Sequence, residues 1–171
     1  MRRLNLLLAC ISALAFGAAV AVAQSQVFVR EGVEYQLELP TPTWRATSSP
    51  DSVHQHMEFV NGDRMDGYLR VRKELVDAGT SASDLAKRDM DVRLRFIPGF
   101  VEGRQERFAG RLSGVTASYE YTTAGKPMAG RLYYLQADNR TVYILWFTGQ
   151  RDKLVRVRNQ TDSIARSFQL K

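Results

Sequence analysis

The chain is nearly without thiols: among its 171 residues the single cysteine is Cys10, inside an apolar amino-terminal segment. Once that segment is removed, disulfides, cysteine nucleophiles and thiolate metal sites are all excluded, and stability has to come from packing. Histidine is scarce as well, with only His54 and His56. A serine triad needs an imidazole base beside a nucleophile turn, and no Gly-x-Ser-x-Gly occurs. No glycine-rich phosphate-cradling loop occurs either, and beyond the amino-terminal segment no apolar run reaches the ~20 residues that a membrane-spanning helix requires. His54 and His56 stand two apart, which on a strand puts both rings on one face and begins a metal site. Asp51 and Glu58 are near in sequence, but no further ligands follow at a recognisable spacing. The expectation is therefore an exposed polar strand entry, with no metal and no other cofactor.

What is present begins with a leader. Arg2 and Arg3 precede an apolar run from Leu4 through Val20, and Ala21-Val22-Ala23 supplies the small residues that a signal peptidase accepts. The pattern predicts a signal peptide of residues 1–23, cut between Ala23 and Gln24, and a mature chain in the periplasm or outside the cell. As an uncleaved anchor the run is marginal. Leu7-Leu8-Ala9-Cys10 imitates a lipidation box, but it has few apolar residues before it and the apolar run continues past it. The 24 basic and 18 acidic residues give a net charge of +6, of which Arg2 and Arg3 carry two. For an exported chain this modest excess points to an anionic envelope surface or an envelope protein as partner, and away from nucleic acid.

Along the mature chain, residues 24–33 read as a flexible lead-in and residues 34–171 as one domain. Glu34 to Leu39 alternates polar and apolar residues and stops at Pro40, as a strand does. Pro40-Thr41-Pro42-Thr43 cannot pair as a central strand and delivers Trp44 to one end of the core. His56 to Val60, a turn within Asn61-Gly62-Asp63, and Tyr68 to Arg72 form a hairpin in which Leu69 and Val71 share one face while Arg70 and Arg72 share the other. Ser81 and Asp84 make a capping box ahead of Ala82, Ala86, Met90 and Leu94, which recur every fourth residue as on a helix that ends before Pro98-Gly99. Strands follow at Arg107 to Ala109, Val115 to Tyr121, Arg131 to Leu135 and Thr141 to Phe147. The last of these is apolar on both faces, so layers have to cover it on both sides. Leu154, Val157, Thr161, Ile164 and Phe168 fall on one stripe of a terminal helix, opposite Arg158, Asp162 and Arg166, and supply one such layer. The expected fold is α+β, an antiparallel sheet of about six strands with helices on both faces.

This order of elements resembles the PsbP-like superfamily, which includes bacterial DcrB-like proteins and a eukaryotic Ran-binding nuclear import factor. The resemblance lies in Tyr35 to Pro40 followed by Trp44, in Arg111-Leu112-Ser113-Gly114-Val115-Thr116-Ala117, in Thr141 to Leu145, and in Ile164 to Phe168. These are core and turn positions. The resemblance implies an α/β/α sandwich used mostly for binding and assembly, and it brings no shared active site.

The remaining candidates are cationic. Arg104, Arg107 and Arg111, with Arg70, Arg72 and Arg131, form a basic patch if their strands are neighbours, and Arg70, Arg72, Arg107 and Arg131 are the chief candidates for contact with an anionic partner. Tyr133, Tyr134, Tyr143 and Trp146 read as packing residues. The sequence thus points to an exported, non-catalytic binding or accessory module of the bacterial envelope. The alternatives are a hydrolase of envelope polymers, whose carboxylates come from distant positions, and a carrier of a small ligand or metal.

Overall fold

The computed structural model describes residues 25–47 and 57–171. Its centre is an antiparallel sheet of seven strands in the order β3-β4-β5-β9-β8-β7-β6. These strands are β3 (Trp44–Ala46), β4 (Met57–Asn61), β5 (Asp63–Leu75), β6 (Val101–Ala109), β7 (Ser113–Thr123), β8 (Lys126–Gln136) and β9 (Thr141–Gln150). A second sheet, of three strands, sets β2 (Tyr35–Leu39) between β1 (Gln26–Phe28) and β10 (Gln169–Leu170). The helices are α1 (Ala82–Asp89), α2 (Arg151–Arg156) and α3 (Arg158–Ser167), and a π-helical turn over Met90–Leu94 prolongs α1.

β9 shows why the fold takes this form. Tyr143, Leu145 and Phe147 enter a core shared with β2, Trp44, Leu69, Val71, Ile164 and Phe168. Val142 and Ile144 enter a second core with Leu85, Ala86, Met90, Leu94, Tyr119 and Tyr134. A strand buried on both faces loses the apolar-polar alternation of a half-exposed one, and both layers predicted from that loss are there. The α/β/α architecture is as expected.

Local chemistry fixes the edges of these layers. Gly62, at φ 72°, closes the expected turn between β4 and β5, and Asp63 Oδ1 accepts from the backbone N–H groups of Met65 and Asp66 at 2.6 and 3.1 Å. At the start of α1 the box is complete: Asp84 N–H donates to Ser81 Oγ at 3.1 Å and Ser81 N–H donates to Asp84 Oδ2 at 3.1 Å. Trp44 is 1% exposed and donates from Nε1 to Gln160 Oε1 at 2.8 Å, tying the β3 edge to α3.

Three details differ from the sequence reading. Part of the lead-in is a strand, because Phe28 lies opposite Leu37 and packs edge-on against Phe59 at 4.9 Å. Glu34 to Leu39 contains the expected strand, but that strand, β2, lies outside the seven-stranded sheet and covers the first core together with α3. The terminal helix is broken at Val157 (φ −98°, ψ 12°), which lets α2 follow β5, β8 and β9 while α3 follows β2. Among the described residues no helix is long and apolar enough to cross a membrane.

Candidate binding site

The four arginines singled out from the sequence do not form one surface. Arg70 and Arg72 do project together, away from the core that takes Leu69 and Val71. Each already has an anion: Arg70 donates to Glu58 Oε1 at 3.2 Å and to the Tyr68 hydroxyl, and Arg72 donates to Glu74 Oε2 at 2.9 Å. Arg107 lies opposite Val115 on β6, four strand spacings from β5, or ~19 Å at ~4.8 Å per strand. Arg131 lies opposite Phe147 on β8 and therefore on the other face, with its side chain 13% exposed. The reason is parity: a strand sends alternate residues to opposite faces, so strands of different register bring their arginines to different sides. His54 and His56, and the cleavage pair Ala23 and Gln24, lie outside the described residues. Among the described residues no three His, Cys, Asp or Glu side chains are grouped to hold a metal.

Arg131 nevertheless leads to a site that the quartet does not describe. A groove of about 370 Å³ runs between β6, β7 and β8 and the start of the terminal helices, and four guanidiniums line it, those of Arg104, Arg131, Arg151 and Arg158. Its volume lies in the range of small-ligand sites. Two of the four are neutralised. Arg131 donates to Asp162 Oδ1 at 3.0 Å, and Arg151 donates to Glu120 Oε2 at 3.3 Å. Arg104 and Arg158 have no carboxylate partner among the described residues. The carboxylate of Glu106 stands in the same groove.

Arg104 sits at a β-bulge beside the groove, on the same side of β6 as Glu106. Glu102 lies opposite Tyr119 and Gln105 opposite Ala117, so Gly103 and Arg104 together face Ser118. Arg104 N–H donates to Ser118 Oγ at 3.1 Å, which satisfies the amide that the bulge removes from the ladder. A Cβ on residue 103 would lie 2.4 Å from that oxygen and 2.7 Å from the Ser118 carbonyl oxygen, so the position requires glycine. Strict alternation would send residues 103 and 104 to opposite faces, whereas both line the groove.

Below the groove a polar cluster pins α3 to the sheet. The Tyr133 hydroxyl donates to Asp162 and accepts from Arg131 Nε at 2.6 Å, and Thr161 Oγ1 lies 3.0 Å away. Burial raises the Tyr133 pKa, the Arg131 charge works against that shift, and the bond to Asp162 adds to it, so the phenol stays neutral. Burial also disfavours the Arg131 charge, but Tyr133 and Asp162 outweigh it and hold the cation.

Sequence reading reached part of this site. Arg104 and Arg131 are among the arginines that the sequence singles out, and Arg158 falls on the polar side of the terminal helix. Arg151 was missed. The legible signal was Gly103, since an isolated glycine within a strand marks a bulge or a close backbone approach.

The fold and groove define an α+β sandwich built round a two-sided antiparallel sheet. No protein-family model matches the sequence, and no curated protein matches it. Solved structures do match. LpqN of Mycobacterium tuberculosis, described as involved in cell envelope biogenesis, aligns with a TM-score of 0.58 at 16% identity, over 86% of this chain and 91% of its own. Cyanobacterial PsbP (CyanoP) of Synechocystis sp. PCC 6803 aligns with a TM-score of 0.59 at 13% identity, over 94% of this chain and 100% of its own. A Mog1 variant aligns with a TM-score of 0.59 at 10% identity, over 86% of this chain and 96% of its own. At such identities the likeness establishes the fold, and the fold is PsbP-like.

Proposed function

We propose that this protein is exported and acts as a non-catalytic binding or accessory module of the bacterial cell envelope, engaging an anionic partner. The observation that carries the reading is the groove itself, where Arg104 and Arg158 face solvent without a carboxylate partner among the described residues. Exposed cations in a concavity attract and orient an anion, and they perform no chemistry by themselves. The leader before Gln24 and the likeness to a structure described as involved in cell envelope biogenesis support the location. A fold shared with such proteins is support by analogy.

The test is export followed by capture. The expected results are a mass that begins at Gln24 and recovery of an envelope component on the immobilised protein at low salt, lost toward 1 M salt, where the Debye length falls to ~3 Å. A retained leader in fractionated cells, or capture that ignores salt, overturns the corresponding half of the reading. The hydrolase alternative draws on Glu106 and Glu120, which line the same groove. Glu120 is committed to Arg151, so we favour binding, and release of sugars from envelope polymer that stops in Glu106→Gln would reverse that preference.

A further inference from the structure

We infer that the groove over β6, β7 and β8 is a phosphoryl-binding site, in which Arg104 and Arg158 hold the anion and Val155 meets the apolar part of the molecule that carries it. The inference rests on the reading of the chain as a binding module and adds the chemistry of what it binds.

Charge pairing narrows the choice. Around the groove the Arg131–Asp162 and Arg151–Glu120 pairs cancel, which leaves Arg104 and Arg158 against Glu106. Arg107 also lacks a carboxylate partner among the described residues, but no second cation lines the shallow surface beside it. Two guanidinium forks on one concavity suit a group that offers more than two oxygens. A carboxylate can take two arginines, as Glu58 takes Arg64 and Arg70, but only by dividing two oxygens between them, whereas a tetrahedral phosphoryl group presents a further oxygen and more negative charge to the second fork.

The backbone shows that Arg104 is aimed. Arg104 stands two residues before Glu106 and shares its side of β6, while Gln105 between them reaches Ser83 on the α1 side, and the bulge at Gly103, satisfied by Ser118, fixes the backbone at Arg104 itself. The same bulge argues against another use of this edge. β6 is the terminal strand of the sheet, and a bulge with charged neighbours at Glu102, Arg104 and Glu106 blunts pairing with an added strand. The remaining wall is apolar. Leu154 is buried beneath the groove, while Val155, also lining it, is 65% exposed and has apolar surface to give to a ligand.

The experiment compares two sources of the phosphoryl group with matched variants. The full-length exported protein is titrated with glycerol 3-phosphate, with acetate, and with vesicles of phosphatidylcholine with and without phosphatidylglycerol. Binding of glycerol 3-phosphate or of phosphatidylglycerol vesicles, and weak or absent binding of acetate, is the expected result. The arm that binds identifies the source as a soluble ester or a lipid headgroup. Arg104→Ala and Arg158→Ala should each weaken that binding by roughly tenfold or more, as loss of a charge-assisted hydrogen bond does. Arg95→Ala, which removes the same charge from the far side, should leave it within about twofold. Glu106→Gln should tighten it, because it removes the anion that opposes the ligand.

Equal weakening by Arg95→Ala and Arg104→Ala would reduce the effect to net charge and overturn the inference. So would acetate binding as tightly as phosphate, weakening by Glu106→Gln, or no binding in either arm. All four positions are exposed, and unchanged melting curves would show that the variants fold. If envelope capture survives Arg104→Ala with Arg158→Ala, this site is wrong while the binding module stands. If phosphate binds but the envelope yields nothing, the module reading fails and the site stands.

Discussion

The two faces of the central sheet handle charge in different ways. Toward α1, Arg70, Arg72, Arg88 and Arg93 each meet a carboxylate, with Arg107 at the β6 edge as an exception, and the Arg93 partner, Asp89, is itself buried and accepts from the Tyr134 hydroxyl at 3.3 Å. Toward α2 and α3, Arg131 is closed in the same way, but Arg104 and Arg158 are left open above it. Closed pairs at a surface add little affinity for anything else, since a ligand must first displace an internal partner. An open guanidinium keeps its donors for an incoming anion. Arginine content therefore says little about where an anion binds, and the pairing of each arginine says much more.

The largest effects should come from the strand that the two faces share. Leu145 and Ile144 are neighbours on β9, each at most 1% exposed, and they point into different cores. Leu145→Ala and Ile144→Ala should each lower unfolding free energy in urea by about 2–5 kcal/mol, the usual cost of an internal cavity. A loss confined to Leu145→Ala would mean that the α1 layer contributes little, and would break the symmetry between the cores.

Next come the paired tyrosines on β8. The Tyr133 hydroxyl sits among Arg131, Asp162 and Thr161, whereas the Tyr134 hydroxyl has only the longer bond to Asp89. Tyr133→Phe should cost about 1–3 kcal/mol, because charged groups lose a buried partner, and Tyr134→Phe should cost about 1 kcal/mol. Both pKa values are raised from 10.0, first by burial. A group whose folded pKa is raised stabilises the fold fully below its unfolded value, and that contribution is lost as pH rises toward the folded value. Stability should therefore fall above about pH 10, and phenolate absorbance should rise together with unfolding. Gradual phenolate titration in a folded chain would show that these rings are open to solvent.

How much of this was legible follows from what kind of signal carried it. The two-sided burial of Val142 to Phe147 and the Ser81–Asp84 box are local patterns, and each led to the right element. The membership of β2 in a separate sheet was not legible, because its alternation is satisfied equally well beside either sheet. The groove depends on parity between strands: Arg131 and Arg107 both look like outward arginines in sequence, and only the registers of β8 and β6 put them on opposite faces. Arg151 and Arg158 acquire meaning only when the helix break at Val157 lays α2 across β8.

The smallest effect separates the two helical layers. α1 starts with a full capping box, while α2 and α3 start at Gln150 and Val157 with no side-chain cap. Ser81→Ala should thus cost about 1 kcal/mol, the typical worth of an N-cap. The acid limb gives the sign. The Asp84 pKa is lowered first by the Ser81 side chain, then by its backbone N–H, so the contribution of this carboxylate is present above the unfolded value near 4 and disappears as pH falls through the folded one. Urea midpoints of the native protein and of Ser81→Ala, followed from neutral to acidic pH, should draw closer as Asp84 is protonated, because the native chain alone then loses the bond from the Ser81 hydroxyl to the charged carboxylate, at 2.6 Å, and keeps only the one from Asp84 N–H to Ser81 Oγ. A constant gap down to the acid transition would place the whole effect in the bond from Asp84 N–H to Ser81 Oγ and remove the Asp84 carboxylate from the cap. Hydrogen exchange should then report faster opening of α1 in Ser81→Ala and unchanged protection in α3, whose hold on the sheet comes from Tyr133, Asp162 and Trp44 instead of from its end.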